Sequence, residues 1–343
     1  GYNFLLPKYK RTIYSAYMIE EVNAHQNLKL SAGIRYDFGK MKTESFYDPY
    51  LYQFLIKDGY DHETANQYAL RGEKINRNFQ TLNGVLGASY HAGKSWDFSL
   101  NIGTNYRLPT AIELGANGIH HGSFRHEQGN ADLDSERGFS ADLKIDYHPQ
   151  TWNISFSPYV YYFSNYIFLQ PSGHFSILPH AGQIYQYTQS EALIGGFEVA
   201  AEKTIADKLQ ISAVYEYVFN KQLGIDKSKR YPLPFTPANN VFGEIKYQLT
   251  NEENIIENWH IFLNAKYTFE QDRIAQNEEK TGAYFLLGAG TKTNLHFRNF
   301  EAIIGIQANN ILNKKYFNHT SFYRTIELPE QGRNIQVSVS IPF

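Results

Sequence analysis

The stretch that most limits what this chain can fold into is its last, Arg333–Phe343, which reads RNIQVSVSIPF. Ile335, Val337, Val339, Ile341 and Phe343 fall on one side; Asn334, Gln336, Ser338, Ser340 and Pro342 fall on the other. Strict period-two alternation predicts a strand with one apolar and one polar face. The design recurs along the chain. Leu28, Leu30, Ala32, Ile34, Tyr36 and Phe38 alternate with Lys29, Ser31, Gly33, Arg35 and Asp37. Phe98, Leu100 and Ile102 alternate with Ser99, Asn101 and Gly103, and Leu143 and Ile145 with Lys144 and Asp146. These runs begin or finish at Trp, Tyr or Phe. A wall between lipid and a wet lumen predicts this order, with aliphatic groups at mid-depth and amphipathic rings at the interfaces. Leu30, Ile34, Phe98, Leu100, Leu143, Val337 and Val339 are therefore expected to face lipid.

Composition agrees once the alternation is known. Mean hydropathy is −0.47 and no apolar run reaches the length of a membrane-spanning helix, because half of each strand is polar. The 27 Tyr and 24 Phe fall largely on one face. Net charge is −2 with pI near 6.7, which gives no basic field for nucleic acid. With no cysteine, disulfides and thiolate metal sites are excluded. Gly1 is followed directly by YNFLLPKYKR, which is not an export signal.

Strands are expected at about Tyr9–Asn23, Asn27–Phe38, Arg77–His91, Lys94–Arg107, Ser135–His148, Thr151–Phe168 and Gln183–Lys203. Others follow at about Asp207–Gln222, Thr236–Thr250, Glu257–Gln271, Thr281–Phe297, Asn299–Leu312 and Gly332–Phe343. Tyr9–Asn23 and Arg77–His91 alternate poorly. The links alternate too: Ala24–Gln26, Ala92–Gly93, Pro149–Gln150 and Ile205–Ala206 are short; Gly39–Asn76, Leu108–Asp134, Leu169–Gly182 and Leu223–Phe235 are long. Outer-membrane barrels place tight turns in the periplasm and long loops outside. The expected fold is all-β, a transmembrane antiparallel β-barrel with about 13 strands present, whereas complete bacterial barrels hold an even number. The chain is thus expected to start inside an extracellular loop, with Tyr9–Asn23 pairing to strands from another segment.

Three segments together resemble the TonB-dependent outer-membrane receptors. Tyr106–Leu114 is similar to that family's "FRAP…EL" box, with Tyr106 for Phe and Leu108 for Ala. Gly129–Glu136 is similar to its "GNPDLKPE" box, with Ala131 where proline is usual. Asn309–Tyr316, Pro329–Asn334 and the terminal Phe343 resemble its closing hairpin. The resemblance implies that residues 1–343 are the C-terminal part of a barrel of about 22 strands. A plug domain and the first strands would lie outside this chain. It also implies an importer in the bacterial outer membrane, among lipid and lipopolysaccharide, energised by TonB through the plug.

The loop Leu108–Asp134 holds His120, His121 and His126 in one short stretch, beside Glu127. Neutral imidazole ligates both borderline metals and heme iron. Heme and zinc importers of the family place a histidine between the two boxes, which points to these three without choosing. Glu113, or His174 and His180 of the next long loop, would supply a partner; His62 lies in the longest loop. The bland alternative is a set of solvated loop histidines. His126–Glu127 does not open a zincin motif, because Asn130 stands where the second histidine is required. Phe46, Tyr47, Tyr50, Tyr52, Phe54 and Tyr60 would stack on a planar chelate or a sugar, or pack on one another.

No intrinsic cofactor is expected; the transported solute would be heme, a ferric siderophore or zinc. Rival readings are an oligosaccharide importer working with a surface lipoprotein, a passive porin, and a barrel enzyme. No G-x-S-x-G, P-loop or G-x-G-x-x-G occurs, so the sequence gives no catalytic residue.

Overall fold

A computed structural model describes residues 5–224, 230–253, 255–297 and 300–342. Gly1 and Phe343, used above, lie outside the described residues. The first half of the chain runs β1 (Tyr9–His25), β2 (Leu28–Thr43), β3 (Phe46–Tyr47), α1 (Pro49–Lys57), α2 (His62–Ala69) and β4 (Leu70–Gly72). Then come β5 (Asn76–Ala92), β6 (Trp96–Arg107), α3 (Ala111–Gly115), β7 (Asn117–His120), β8 (Arg125–Gln128) and β9 (Glu136–Tyr147). The second half is β10 (Trp152–Phe175), β11 (Gln183–Ile205), β12 (Leu209–Gln222), β13 (Asn240–Glu253) and β14 (Ile256–Thr268). It closes with β15 (Tyr284–Phe297), β16 (Phe300–Asn309) and β17 (Asn334–Ser340).

The wall is one antiparallel sheet in the order β1-β2-β5-β6-β9-β10-β11-β12-β13-β14-β15-β16-β17. Its strands match those expected from alternation, each neighbour in space being the next wall strand in sequence. Among the described residues β1 pairs with β2 and β17 with β16, and the sheet does not close on itself.

Register sorts the side chains as the alternation requires. Leu30 stands opposite Ala88, Ile34 opposite Gly84 and Leu100 opposite Leu143. On the other face Arg35 meets Asn83, and Asn101 meets Asp142. Leu30, Ile34, Leu100, Val337 and Val339 are exposed, while Phe98 and Leu143 are half-buried by their neighbours. In water such a face would be untenable; in lipid it is the ordinary outer surface of a barrel. Trp96, Trp152 and Trp259 each sit just past a tight turn, on the outer rim at one end. The Trp96 ring lies 4.3 Å from that of Tyr147, and Lys203 Nζ stands 4.5 Å over Trp152. Among the described residues no helix is long and apolar enough to cross a membrane, so the strands do the crossing.

A one-layer wall has no core of its own. Most of the buried apolar groups lie instead in the long loops and the strand ends next to them, opposite the tight turns. One cluster joins Met41, Ile75, Phe79, Leu108, Leu114, Leu133 and Ile167. A second joins Leu51, Leu55, Ala65, Ile119, Leu178 and Ala181. The long loops carry secondary structure of their own. Asp48 caps α1 through the backbone N–H groups of Tyr50 and Leu51, with Pro49 in the first turn. Asp61 caps α2 through the N–H of Thr64. Strand β2 also runs five residues past the expected Phe38, to Thr43. The hairpin β7–β8 lays β8 parallel against β11 at Ile184–Gln186, covering the part of that strand that rises above β12.

Candidate functional site: the extracellular loop cap

The two sequence boxes turn out to be halves of one joint. Arg107, the last residue of β6, faces Glu136, the first of β9. Its Nε and Nη2 donate to Glu136 Oε1 and Oε2 at 3.0 and 3.2 Å, and Nη1 donates to Glu113 Oε2 at 3.0 Å. Glu113 also closes a capping box with Thr110, accepting from its N–H at 2.7 Å while Thr110 Oγ1 accepts from the Glu113 N–H. Glu136 takes the Ile167 N–H as well, at 2.8 Å. Gly129 presses against α3: a Cβ there would lie 2.6 Å from the nitrogen of Gly115. Arg77 fixes the second box from below through the carbonyls of Ala131 and Leu133, both at 2.7 Å. Glu113 is thus engaged within the joint, by Arg107 and by the Thr110 N–H.

Past that joint, β7–β8 carries the three histidines into three different settings. His126 lies inside the cap rather than at its surface. It is fully buried; its Nε2–H donates to Asn117 Oδ1 at 2.8 Å, and Nδ1 accepts from Ser176 Oγ at 2.9 Å. Burial, aided by the Arg71 charge and opposed by Glu127, pushes its pKa down to about 4. His121 is exposed in the 3-10 turn His121–Ser123. His120 is half-exposed, and its Nδ1 lies 2.7 Å from Oε1 of the fully buried Glu127. A carboxylate only accepts, so Nδ1 holds a proton, and in the neutral ring the lone pair is on Nε2. Glu127 is held in turn by Arg125 Nε at 2.7 Å and Tyr187 Oη at 3.0 Å.

His174, near the end of β10, and His180, on the β10–β11 turn, are both exposed. That turn abuts the β7–β8 turn, for a Cβ on Gly182 would lie 2.2 Å from the Phe124 carbonyl oxygen. His62 stays with its own loop, its Nδ1 2.7 Å from Tyr52 Oη. Among the described residues, no three His, Asp or Glu side chains converge in a way that would hold a metal ion.

A second joint, unseen in the sequence reading, ties the later loops. Glu278 accepts from the Phe235 N–H at 2.9 Å, the Ala275 N–H at 3.0 Å and Arg324 Nη2 at 2.7 Å. His319 Nε2 stands 3.3 Å from the same carboxylate, and its Nδ1 lies 2.7 Å from Thr281 Oγ1. Burial raises the Glu278 pKa, but the His319 contact and the two N–H groups more than offset it, leaving it below the usual range. The β7–β8 hairpin meets this second joint where the Arg125 guanidinium stacks 3.7 Å over Phe322, whose ring lies 4.1 Å from Phe235. The cap is therefore one connected body above the wall.

A wall apolar outside and polar inside, turned tightly at one end and roofed at the other, defines an outer-membrane β-barrel of the receptor type. The chain belongs to the family described as TonB dependent receptor-like, beta-barrel, whose profile matches residues 1–311. It is thus part of a bacterial outer-membrane protein. Solved structures agree in fold. The copper transporter OprC matches with TM-score 0.72 and 17% identity over 96% of this chain and 47% of that one. The unliganded ferric citrate transporter FecA gives 0.65 and 14%, over 97% and 45%. The apoprotein of the FrpB iron transporter of Neisseria meningitidis (F5-1 variant) gives 0.64 and 16%, over 98% and 46%. The chain therefore spans about half the length of each of these three proteins.

Proposed function

We propose that this chain is the C-terminal wall and loop cap of an active importer that captures a metal-bearing solute, heme, a ferric siderophore or zinc. A plug domain outside the chain would couple it to TonB. One observation carries the reading. Among the described residues, Glu127 fixes the Nδ1–H of His120 and Nε2 has no partner, on a half-exposed ring of the loop cap. That is the carboxylate–histidine arrangement that orients imidazole ligands and raises their basicity. One imidazole suffices as an axial heme ligand, whereas zinc takes about four donors. For zinc, His121, His174 or His180 nearby would have to swing in. The copper, iron and ferric citrate transport named for the structural neighbours agrees with a metal cargo.

The test is binding of heme and of zinc to the full-length receptor carrying His120→Ala, Glu127→Gln or His121→Ala. Loss with the first, weakening with the second and little change with the third are expected. Unchanged affinity for both ligands in His120→Ala would overturn the metal reading. An oligosaccharide importer with a surface lipoprotein is the second reading, favoured by Tyr50, 83% exposed on the outer side of α1.

A further inference from the structure

The outer face of β2 changes character toward its extracellular end. Ala32, Ile34, Tyr36 and Phe38 form an apolar row, and the next two positions on that face are Lys40 and Lys42. Register places Lys10 of β1 directly opposite Lys42, and Thr12 opposite Lys40. Lys8 continues the row on the β1 side, its carbonyl accepting from the Glu44 N–H at 2.9 Å. Lys74, just ahead of β5, lines the same cavity of about 790 Å³ as Lys8, Lys10 and Lys42. All five lysines are exposed. We propose that this patch holds the phosphate groups of an anionic glycolipid of the outer leaflet, lipopolysaccharide, against the barrel wall. The inference concerns the lipid side of the wall and does not depend on the metal reading of the cap.

Charge is the first argument. The exposed acids beside the five lysines are Glu44 and Glu73, so cations are in excess. Like charges directly opposite on neighbouring strands repel, and Lys10 and Lys42 are such a pair. The ion pairs of β1 and β2 are made elsewhere, by Lys29 with Glu21 and by Arg35 with Asp37. An anion shared between Lys10 and Lys42 turns their repulsion into attraction.

Depth is the second. From Leu28 to Phe38 a strand climbs about 34 Å along its axis, or about 26 Å in height at a tilt of about 40°. The apolar band of an outer-membrane barrel is about 25 Å tall. Lys40 and Lys42 therefore emerge at the level of the headgroups, where a site for a soluble anion would gain nothing. The third argument is the chemistry of the patch. Lysine ammonium groups are compact charges on flexible stems, which lie along an apolar wall while their heads reach irregularly placed phosphates. Asn76 and Asn78 of β5 stand opposite Lys42 and Lys40 and add neutral donors and acceptors for sugar hydroxyls.

The experiment uses the purified full-length receptor, stripped of lipid in detergent. The probes are lipid A carrying its phosphates, lipid A freed of them, phosphatidylethanolamine and inorganic phosphate. Native mass spectrometry reads binding, and thermal unfolding reads the stabilisation it brings. Phosphorylated lipid A should bind and raise the unfolding temperature, and the other three should not. Lys10→Gln combined with Lys42→Gln should weaken that binding about thirtyfold, at about fivefold for each lysine beside an anionic surface. Lys203→Gln, at the periplasmic end of β11, should change nothing. Without lipid the double variant should unfold no earlier than the parent, since a repulsion has been removed. Earlier unfolding would mean that the lysines serve the fold and would overturn the proposal. Equal binding by parent and double variant, or of lipid A with and without phosphates, overturns it too. Inorganic phosphate bound with the same dependence on Lys10 and Lys42 would assign the patch to a free ion and overturn the lipid source.

Discussion

Arg107 and Glu136 stand at the adjacent ends of β6 and β9, and two hydrogen bonds of 3.0 and 3.2 Å clasp them side by side. The pair does more than join strands, because its third arm reaches Glu113 and so sets where the cap leaves the wall. Replacing Arg107 by Ala would leave two carboxylates, Glu113 and Glu136, largely buried without their cation. The expected loss is about 1–3 kcal/mol, reduced from deep-core values because Arg107 is partly solvated. Thermal unfolding in detergent, followed by gel mobility, measures it. Glu136→Gln should cost less, since the amide oxygen still accepts from Ile167.

Gly129→Ala should loosen the cap without touching the wall. Its Cβ would meet backbone atoms of Gly115 and Ala116 at 2.6 and 2.7 Å, and backbone cannot rotate away. A cost of about 1–3 kcal/mol is expected. Faster proteolysis between residues 108 and 135 on intact cells, with normal insertion of the barrel, is the predicted outcome. Unchanged cleavage would mean that the contact relaxes freely.

Neighbouring residues on one strand should respond oppositely to charge. Leu100→Arg is expected to cost about 2–4 kcal/mol if the residue lies at the bilayer midplane, while Asn101→Arg, facing the lumen, should be nearly neutral. Folding titrations into lipid vesicles compare the two. Equal costs would contradict the assignment of faces.

Acid should weaken the cap through His126. Its pKa is about 4 in the folded chain and 6.5 when exposed, so between these values only the unfolded loop holds the proton. Stability from this group is complete above pH 6.5 and is lost as pH falls toward 4. The total is on the order of 3 kcal/mol, from the pKa difference at 1.36 kcal/mol per unit. Hydrogen exchange at residues 117–128 and 176–182 should speed up at pH 5 relative to pH 7.5, and His126→Gln should flatten that dependence.

The wall was legible because its pattern is local. Residues two apart share a face, and Asn334–Ser340 shows this without reference to any other strand. Strand β1 was harder to read because Ile13, Tyr17 and Ile19 lie on its inner face while Tyr14, Met18 and Val22 lie outside. The short helices left signals that went unread: Asp48-Pro49, Asp61 three residues before Thr64, and Thr110 three before Glu113. The fate of His126 was not legible at all. It depends on Ser176, fifty residues away, and spacing within one loop carries no information about that partner.

Glu278 has a genetic consequence. Its donors come from the segments 223–239, 269–283 and 310–333, so no one of these loops is complete alone. Tight turns fix the wall's register from the other end and would tolerate loop exchange. The shared carboxylate would not, because a foreign loop in any one place orphans it. These segments should therefore diversify by recombination as a single block, and chimaeras that trade them separately should reach the cell surface misfolded above a sound barrel.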